Sequence, residues 1–257
     1  MIVFVCPFCK SELEEQDSSL MCLECNIKYP VIDGIPDFMP SKVAPERKGK
    51  IRFVDRLSSI YETRIWYPMV YHFYGGFFIP SVKTTIEIIT RLLEIEGGVA
   101  MDVACGTGLF ARSIAREARQ VYAFDISMKM LRKAREYAER DGLENIVFAR
   151  AEVEHIPFSK GFFDGVSCCG ALHLFPDVGR ALREIGYVTK SGFKLAVMTF
   201  VKRGFLGVRR IYEHLEKDHH VHVFDENELS TLIKSAGYSE FKYSIYGSMI
   251  LFEAKKI

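Results

Sequence analysis

From Gly98 onward, short apolar runs alternate with amphipathic stretches of helical length, and this constrains the fold more than any other feature of the chain. VAMDVA precedes LFARSIAREA, and VYAFDI precedes SMKMLRKAREYAERDG. IVFAR, FDGVSCC, a helical stretch near 177–188 and FKLAVMTF follow. Short strands separated by helices of this kind need crossover connections, which are right-handed between parallel strands, so the pattern predicts a doubly wound α/β sheet. Ser127 should cap the second helix, and Gly142 should close it. Ligands of such sheets gather at the carboxyl ends of the strands, and Gly106, Asp125, Glu152 and Gly170 all fall at or just after such ends.

The chain of 257 residues is long enough for one substantial domain and a small module. Residues 1–39 are turn-rich, and Asp33-Gly34 between YPVI and IPDF has the composition of a type I′ hairpin turn. Residues 40–50, PSKVAPERKGK, read as a polar linker. Residues 51–97 read as a helical cap or lid rich in aromatics (Phe53, Tyr61, Trp66, Tyr67, Tyr71, Phe73, Tyr74, Phe77 and Phe78). Within it, Ser81 is placed to cap a helix carrying Ile86, Ile89, Leu92 and Leu93 on one face. Residues 98–257 form the main domain. The formal net charge of +1 gives no global pull toward nucleic acid or an anionic membrane. The start MIVFVCPFCK lacks the basic region of a signal peptide, and no apolar run reaches the length of a membrane span, so a cytoplasmic location is expected.

Four of the seven cysteines form two C-x-x-C pairs, Cys6/Cys9 and Cys22/Cys25, with twelve residues between them. Four thiolates on two knuckles are the soft tetrahedral donor set that suits Zn2+, and a closed four-thiolate site is structural rather than catalytic.

The turn Cys105-Gly106-Thr107-Gly108 raises the question of a cofactor. Gly106, Gly108 and Ala111 fit the dinucleotide fingerprint, and Asp125 follows Gly106 by 19 residues. Asp102, however, lies just ahead of the turn. A carboxylate there would repel a pyrophosphate and would favour a ligand carrying an ammonium and a sulfonium, namely S-adenosylmethionine (SAM).

DVACGTG, Asp102 to Gly108, resembles the first motif of class I SAM-dependent methyltransferases, and further motifs follow in order over roughly residues 95–257. VYAFDIS places Asp125 where that family binds both ribose hydroxyls. ARAEVEHIPF places Glu152 where the family, more often with Asp, faces the adenine amino group. FFDGVSCCGALHLFPD resembles the fourth-strand motif, with Gly170 and Ala171 on the methionine side, and HVFDENELSTLIKSAGY resembles the helix before the final antiparallel pair. The resemblance implies a seven-stranded Rossmann-like sheet with its last strand antiparallel. It also implies a cofactor site of Asp102, Ala104, Cys105, Gly106, Gly108, Asp125, Ile126, Met128, Glu152, Val153, Gly170 and Ala171. Other readings of the acids remain: Asp125 as a helix cap competing with Ser127, and Glu152 as a solvated loop acid. Asp141, at the end of the same helix, is expected to be inert.

The donor is already activated, so the catalytic residue is hard to read. His173, after the fourth strand, is the candidate base, against the plainer reading of a packed or solvated loop histidine. His219, His220 and His222 lack an evident acid or thiol partner and read as a loop. A zinc ribbon ahead of such a domain resembles two groups: ribosomal-RNA guanine-N1 methyltransferases and chloroplast methyltransferases whose GALH-x-x-P segment is similar to Gly170–Pro176. Residues 1–50 hold six Lys/Arg against eight Asp/Glu, a poor balance for phosphate contacts. The aromatic segment 53–78, unless it is simply the packed core of a helical cap, suits a small apolar or ring-bearing acceptor instead, with an RNA base or a non-catalytic SAM-binding scaffold as alternatives.

Overall fold

The computed structural model describes residues 3–39, 51, 55, 56, 58, 62, 69, 71, 72, 76, 79–202 and 222–257. The 40–50 linker lies outside them, as do most of the cap aromatics, with Tyr71 the exception.

The amino-terminal module is a four-stranded antiparallel sheet of β1 (Glu14–Gln16), β2 (Ser19–Cys22), β3 (Ile27–Ile32) and β4 (Ile35–Pro36) in sequential order. Asp33 and Gly34 join β3 to β4 with φ of 52° and 75°. Both central residues are therefore left-handed, as a type I′ turn requires.

α1 (Val82–Leu93), which Ser81 caps by accepting from Thr84 N, belongs to the stretch read as the cap but packs Ile89 and Leu93 against the main sheet, so the main domain starts before Gly98. It continues with β5 (Val99–Val103), α2 (Leu109–Ile114), β6 (Gln120–Asp125), α3 (Met128–Arg140), β7 (Ile146–Arg150) and β8 (Phe163–Cys169). After these come α4 (Val178–Val188), β9 (Thr189–Phe200), α5 (Glu226–Ser235), β10 (Tyr238–Tyr246) and β11 (Met249–Lys256). The seven strands run in the order β10-β11-β9-β8-β5-β6-β7. β9, β8, β5, β6 and β7 are mutually parallel, and β11 is antiparallel to both its neighbours. This is the expected doubly wound sheet with its final strand reversed. α2 is shorter than its sequence pattern, giving way to turns after Ile114.

One crossover lacks the helix that the others carry, in keeping with FDGVSCC following IVFAR without a helical stretch between them. Residues 151–162, between β7 and β8, contain no helix. The sheet face they would leave open is covered by the cysteine module. Leu13, Leu20, Tyr29 and Phe38 share one buried cluster with Tyr122 of β6 and with Val153, Ile156 and Phe158 of the helix-free loop. Phe4 packs its ring 5.2 Å from Phe38 and 5.1 Å from Phe158. On the other face, α1, α2 and α3 bury Ile89, Leu93, Phe110, Ile114, Leu131 and Ala134. The module therefore takes the place of a layer helix, and burying each aromatic contributes on the order of 2 kcal/mol.

Candidate functional site

The sheet order places the carboxyl ends of β8, β5, β6 and β7 side by side, and the residues read from the sequence gather there. At the end of β5 the backbone leaves the strand through Ala104 (φ 54°), Gly106 (54°) and Gly108 (78°). The second glycine is needed twice over. Its φ is left-handed, and a Cβ there would stand 3.1 Å from that of Ala134 in α3. Cys105 N donates to Phe124 O at 3.0 Å and ties the turn to β6.

Asp125 lies at the end of β6 and is buried. One carboxylate oxygen accepts from Gly106 N at 2.9 Å and the other from Ser127 N at 2.8 Å. The carboxylate thus fixes the glycine turn and its own loop, and each oxygen keeps a lone pair for a ligand. Burial raises its pKa, against the lowering by these amides. Ser127, not Asp125, caps α3, by accepting from Met130 N at 3.1 Å. Ile126 and Met128 flank this cap.

Asp102 is within β5 and 2% exposed. Oδ1 accepts from the Ser167 hydroxyl of β8 at 2.6 Å, whereas Oδ2 is buried with no hydrogen-bond partner among the described residues. Burial pushes its pKa up to about 7. A buried carboxylate with an unsatisfied oxygen fits a cationic ligand group, because an ammonium would supply the missing donor. Glu152 is buried in the loop after β7, not solvated, with Oε2 3.9 Å from His155 Nδ1. Val153 beside it is buried. After β8, Gly170 (φ 76°) donates to Met198 O at 2.9 Å, and Ala171 leads into a 3-10 turn, Leu172–Leu174.

His173 in that turn is 5% exposed, and burial lowers its pKa to about 4. Its Nδ1 lies 3.4 Å from Thr199 Oγ1, its ring 5.1 Å from Phe200, and its carbonyl accepts from His222 N at 2.7 Å. His222 has an acid partner that sequence reading missed, Glu228 Oε1 at 2.7 Å. His219 and His220 lie outside the described residues. Burial raises the thiols of Cys105, Cys168 and Cys169, so none is a thiolate at neutral pH.

Several residues near the site were not legible in the sequence. Arg112 of α2 is buried and bonds Glu62 of the cap segment at 2.6 Å, Asp141 at 3.0 Å and the Thr107 carbonyl at 2.8 Å. The Thr107 hydroxyl also donates to Glu62, and Ser127 Oγ donates to Asp55. The cap segment therefore anchors on the rim of the glycine turn. Asp141 is accordingly not inert: it ends α3 as the partner of a buried arginine.

In the amino-terminal module the four cysteine Sγ atoms lie within 4.8 Å of one another. Cys6–Cys25 is 3.9 Å and Cys9–Cys22 is 3.5 Å. A tetrahedron with metal–sulfur bonds of about 2.3 Å has sulfur–sulfur edges of about 3.8 Å, so the donor set fits a tetrahedral metal ion. Lys10 and Asn26, each just after the second cysteine of a knuckle, take left-handed φ of 61° and 53°.

Comparisons with known proteins agree with this geometry. Residues 101–197 match the family described as a methyltransferase domain, and residues 3–34 match the Trm112p-like protein family. Two Arabidopsis thaliana proteins, each named as an uncharacterized chloroplastic methyltransferase, are similar. One is 32% identical over 63% of this chain and 48% of its own length; the other is 25% identical over 99% of this chain and 79% of its own. The chain thus spans about half the length of the first. Among solved structures, a chain of the complex between the Haloferax volcanii Trm112 methyltransferase activator and a methyltransferase has a TM-score of 0.60 at 15% identity. The match covers 79% of this chain and 96% of that one. The fold is that of the SAM-dependent methyltransferases, joined to an amino-terminal cysteine module with Trm112-like sequence. No helix among the described residues is long and apolar enough to cross a membrane.

Proposed function

We propose that the chain is a SAM-dependent methyltransferase acting on a small, apolar or ring-bearing acceptor, with Zn2+ held by Cys6, Cys9, Cys22 and Cys25 in a structural role. The observation that carries the cofactor reading is the pairing of Asp125, held by the amides of Gly106 and Ser127, with the unsatisfied Asp102 oxygen beside the same turn. Asp125 would take the ribose hydroxyls, Glu152 and Val153 the adenine side, and Asp102, Gly170 and Ala171 the methionine side. Ala104, Cys105, Gly106 and Gly108 would form the close backbone wall, flanked by Ile126 and Met128. When bound, SAM supplies a methyl group on a sulfonium. The chain's own task is to orient the acceptor and exclude water. His173 is the residue proposed to face the acceptor. It is neutral at physiological pH, and its low pKa makes it a weak base, which suits an acceptor that arrives with a lone pair available.

Charge favours a small acceptor over RNA. The exposed edge strand β1 presents Glu14 and Glu15, and Lys10 is committed to Glu184 at 3.0 Å. Little basic surface remains on the module to grip phosphates.

The test is isothermal titration with S-adenosylhomocysteine on the whole chain. Wild type should bind, and Asp125→Ala should bind at least about tenfold more weakly, because two charge-assisted bonds are lost. Asp125 also holds two amides, so the variant will lose stability too. Asp225→Ala, which removes the cap of α5, should lower stability by about 1 kcal/mol and leave affinity unchanged. An absence of wild-type binding at millimolar ligand would overturn the reading. Methyl transfer to structured RNA would replace the acceptor class, and tight binding with no transfer to any metabolite fraction would leave a scaffold.

A further inference from the structure

We propose that the cysteine module organises the cofactor pocket from within the same chain, through Asp37 and Arg150 acting as positioning residues. The inference rests on the cofactor reading above and assigns a role to residues that reading does not use.

Three observations converge. First, the module's last residues extend the main sheet. Asp37 pairs with Arg150 as a parallel bridge at the open edge of β7, and Phe38 N donates to Arg150 O at 2.7 Å. Second, the Arg150 guanidinium joins the module to the proposed ribose loop. Nη1 donates to Asp37 Oδ2 at 2.9 Å and Nε donates to the carbonyl of Ile126 at 2.8 Å. Ile126 is the residue between Asp125 and the Ser127 amide that orients it. The remaining Asp37 oxygen accepts from Met39 N at 3.0 Å, which fixes the aspartate's own direction. Third, the loop carrying Glu152 and Val153 has no helix to hold it and is gripped again further on. Val5 N donates to Pro157 O at 3.0 Å, and Lys10 Nζ donates to Ile156 O at 2.9 Å.

The pocket's ribose and adenine walls are therefore braced by the module at both ends. A planar guanidinium with two fixed acceptors transmits orientation where a single point charge would not. Asp33 also ties the module to the domain, through an exposed pair with Arg132 at 2.7 Å, but that pair touches only the outer face of α3 and serves as a control.

The experiment uses the full chain with its metal, in Asp37→Ala, Asp37→Asn, Arg150→Met, the Asp37→Ala/Arg150→Met double variant and Asp33→Asn. Two quantities are read: hydrogen exchange of the amides around Ile126–Ser127 in ligand-free protein, and affinity for S-adenosylhomocysteine. Asp37→Ala and Arg150→Met should speed that exchange and weaken affinity about fivefold or more, the scale of one charge-assisted hydrogen bond. The double variant should be no weaker than the worse single variant. Asp37→Asn keeps an acceptor for Arg150 and should restore most of both readouts, and Asp33→Asn, which removes the charge facing Arg132 but suits the left-handed turn position, should match wild type. Lower melting temperatures with unchanged exchange and affinity would reduce the contact to simple packing and overturn the proposal, as would fully additive effects. Absent ligand binding in wild type would remove the cofactor reading alone, because the exchange measurement still decides whether Asp37 and Arg150 order the Ile126 loop.

Discussion

Asp102 shows how one residue ties stability to binding. Its buried carboxylate has one oxygen served by Ser167 and one left unsatisfied, and its pKa stands near 7. Near neutral pH it is divided between the acid and the carboxylate. An ammonium on the ligand binds the ionised form, so binding must release the proton, and the free energy of release grows as pH falls below that pKa. Affinity for S-adenosylhomocysteine should therefore weaken about tenfold between pH 8 and pH 6, because one pH unit below the pKa costs about 1.4 kcal/mol. Asp102→Asn should bind more weakly at pH 8 and show little of this pH dependence. Calorimetry at several pH values, in two buffers of different ionisation enthalpy, measures both the affinity and the proton released. A pH-independent wild-type affinity would separate Asp102 from the ligand's cationic group.

At the scale of elements, the cysteine module behaves as part of the main domain. It supplies the layer missing over residues 151–162, and its Tyr29 and Phe38 lie in the same buried cluster as Tyr122 and Phe158. Tyr29 Oη also lies 3.3 Å from Cys6 Sγ, so the proposed metal site is continuous with that cluster. Removing the ion with a chelator should thus lower the melting temperature of the whole chain in one transition, without first releasing an independent module. Calorimetry checks this, and two separated transitions would show that the module folds by itself. What the sequence made legible follows the range of each interaction. The Asp33-Gly34 turn, the Ser127 and Ser81 caps and the glycine turn are set by residues a few positions apart, and each stands where local chemistry places it. The strand ends that carry Asp125, Glu152 and Gly170 were legible from the alternation of elements. The Asp37–Arg150 pair joins positions 113 residues apart, and Arg112–Glu62 joins positions 50 apart. Nothing in either local pattern says which surface the partner covers, so Asp141 looked inert and the module's cover over the helix-free crossover went unseen.

Over the whole molecule, two buried groups oppose each other as pH changes. His173 titrates near 4 in the folded chain against 6.5 ordinarily, because burial disfavours its charged form. The unfolded chain takes up that proton first. The stability His173 contributes is complete above pH 6.5 and is lost as pH falls toward 4, roughly 3 kcal/mol in all. Asp102 has the opposite sign. Its folded pKa of about 7 lies above its ordinary 3.8, so the folded chain takes up this proton first. The corresponding stability is complete below pH 3.8 and is lost as pH rises toward 7, by a similar amount. Between pH 4 and 6.5 the two contributions have opposing slopes of comparable size, which hides each from a measurement on wild type alone. Substituting one exposes the other. Relative to wild type, Asp102→Asn should lose stability as pH is lowered from 6.5 to 4. His173→Gln should gain over the same interval. Urea unfolding at pH 7, 5.5 and 4.5 measures both slopes against a background that all three proteins share. A His173→Gln slope equal to that of wild type would mean that the ring takes up its proton as readily in the folded chain as in the unfolded one, which its burial against Phe200 and Thr199 argues against.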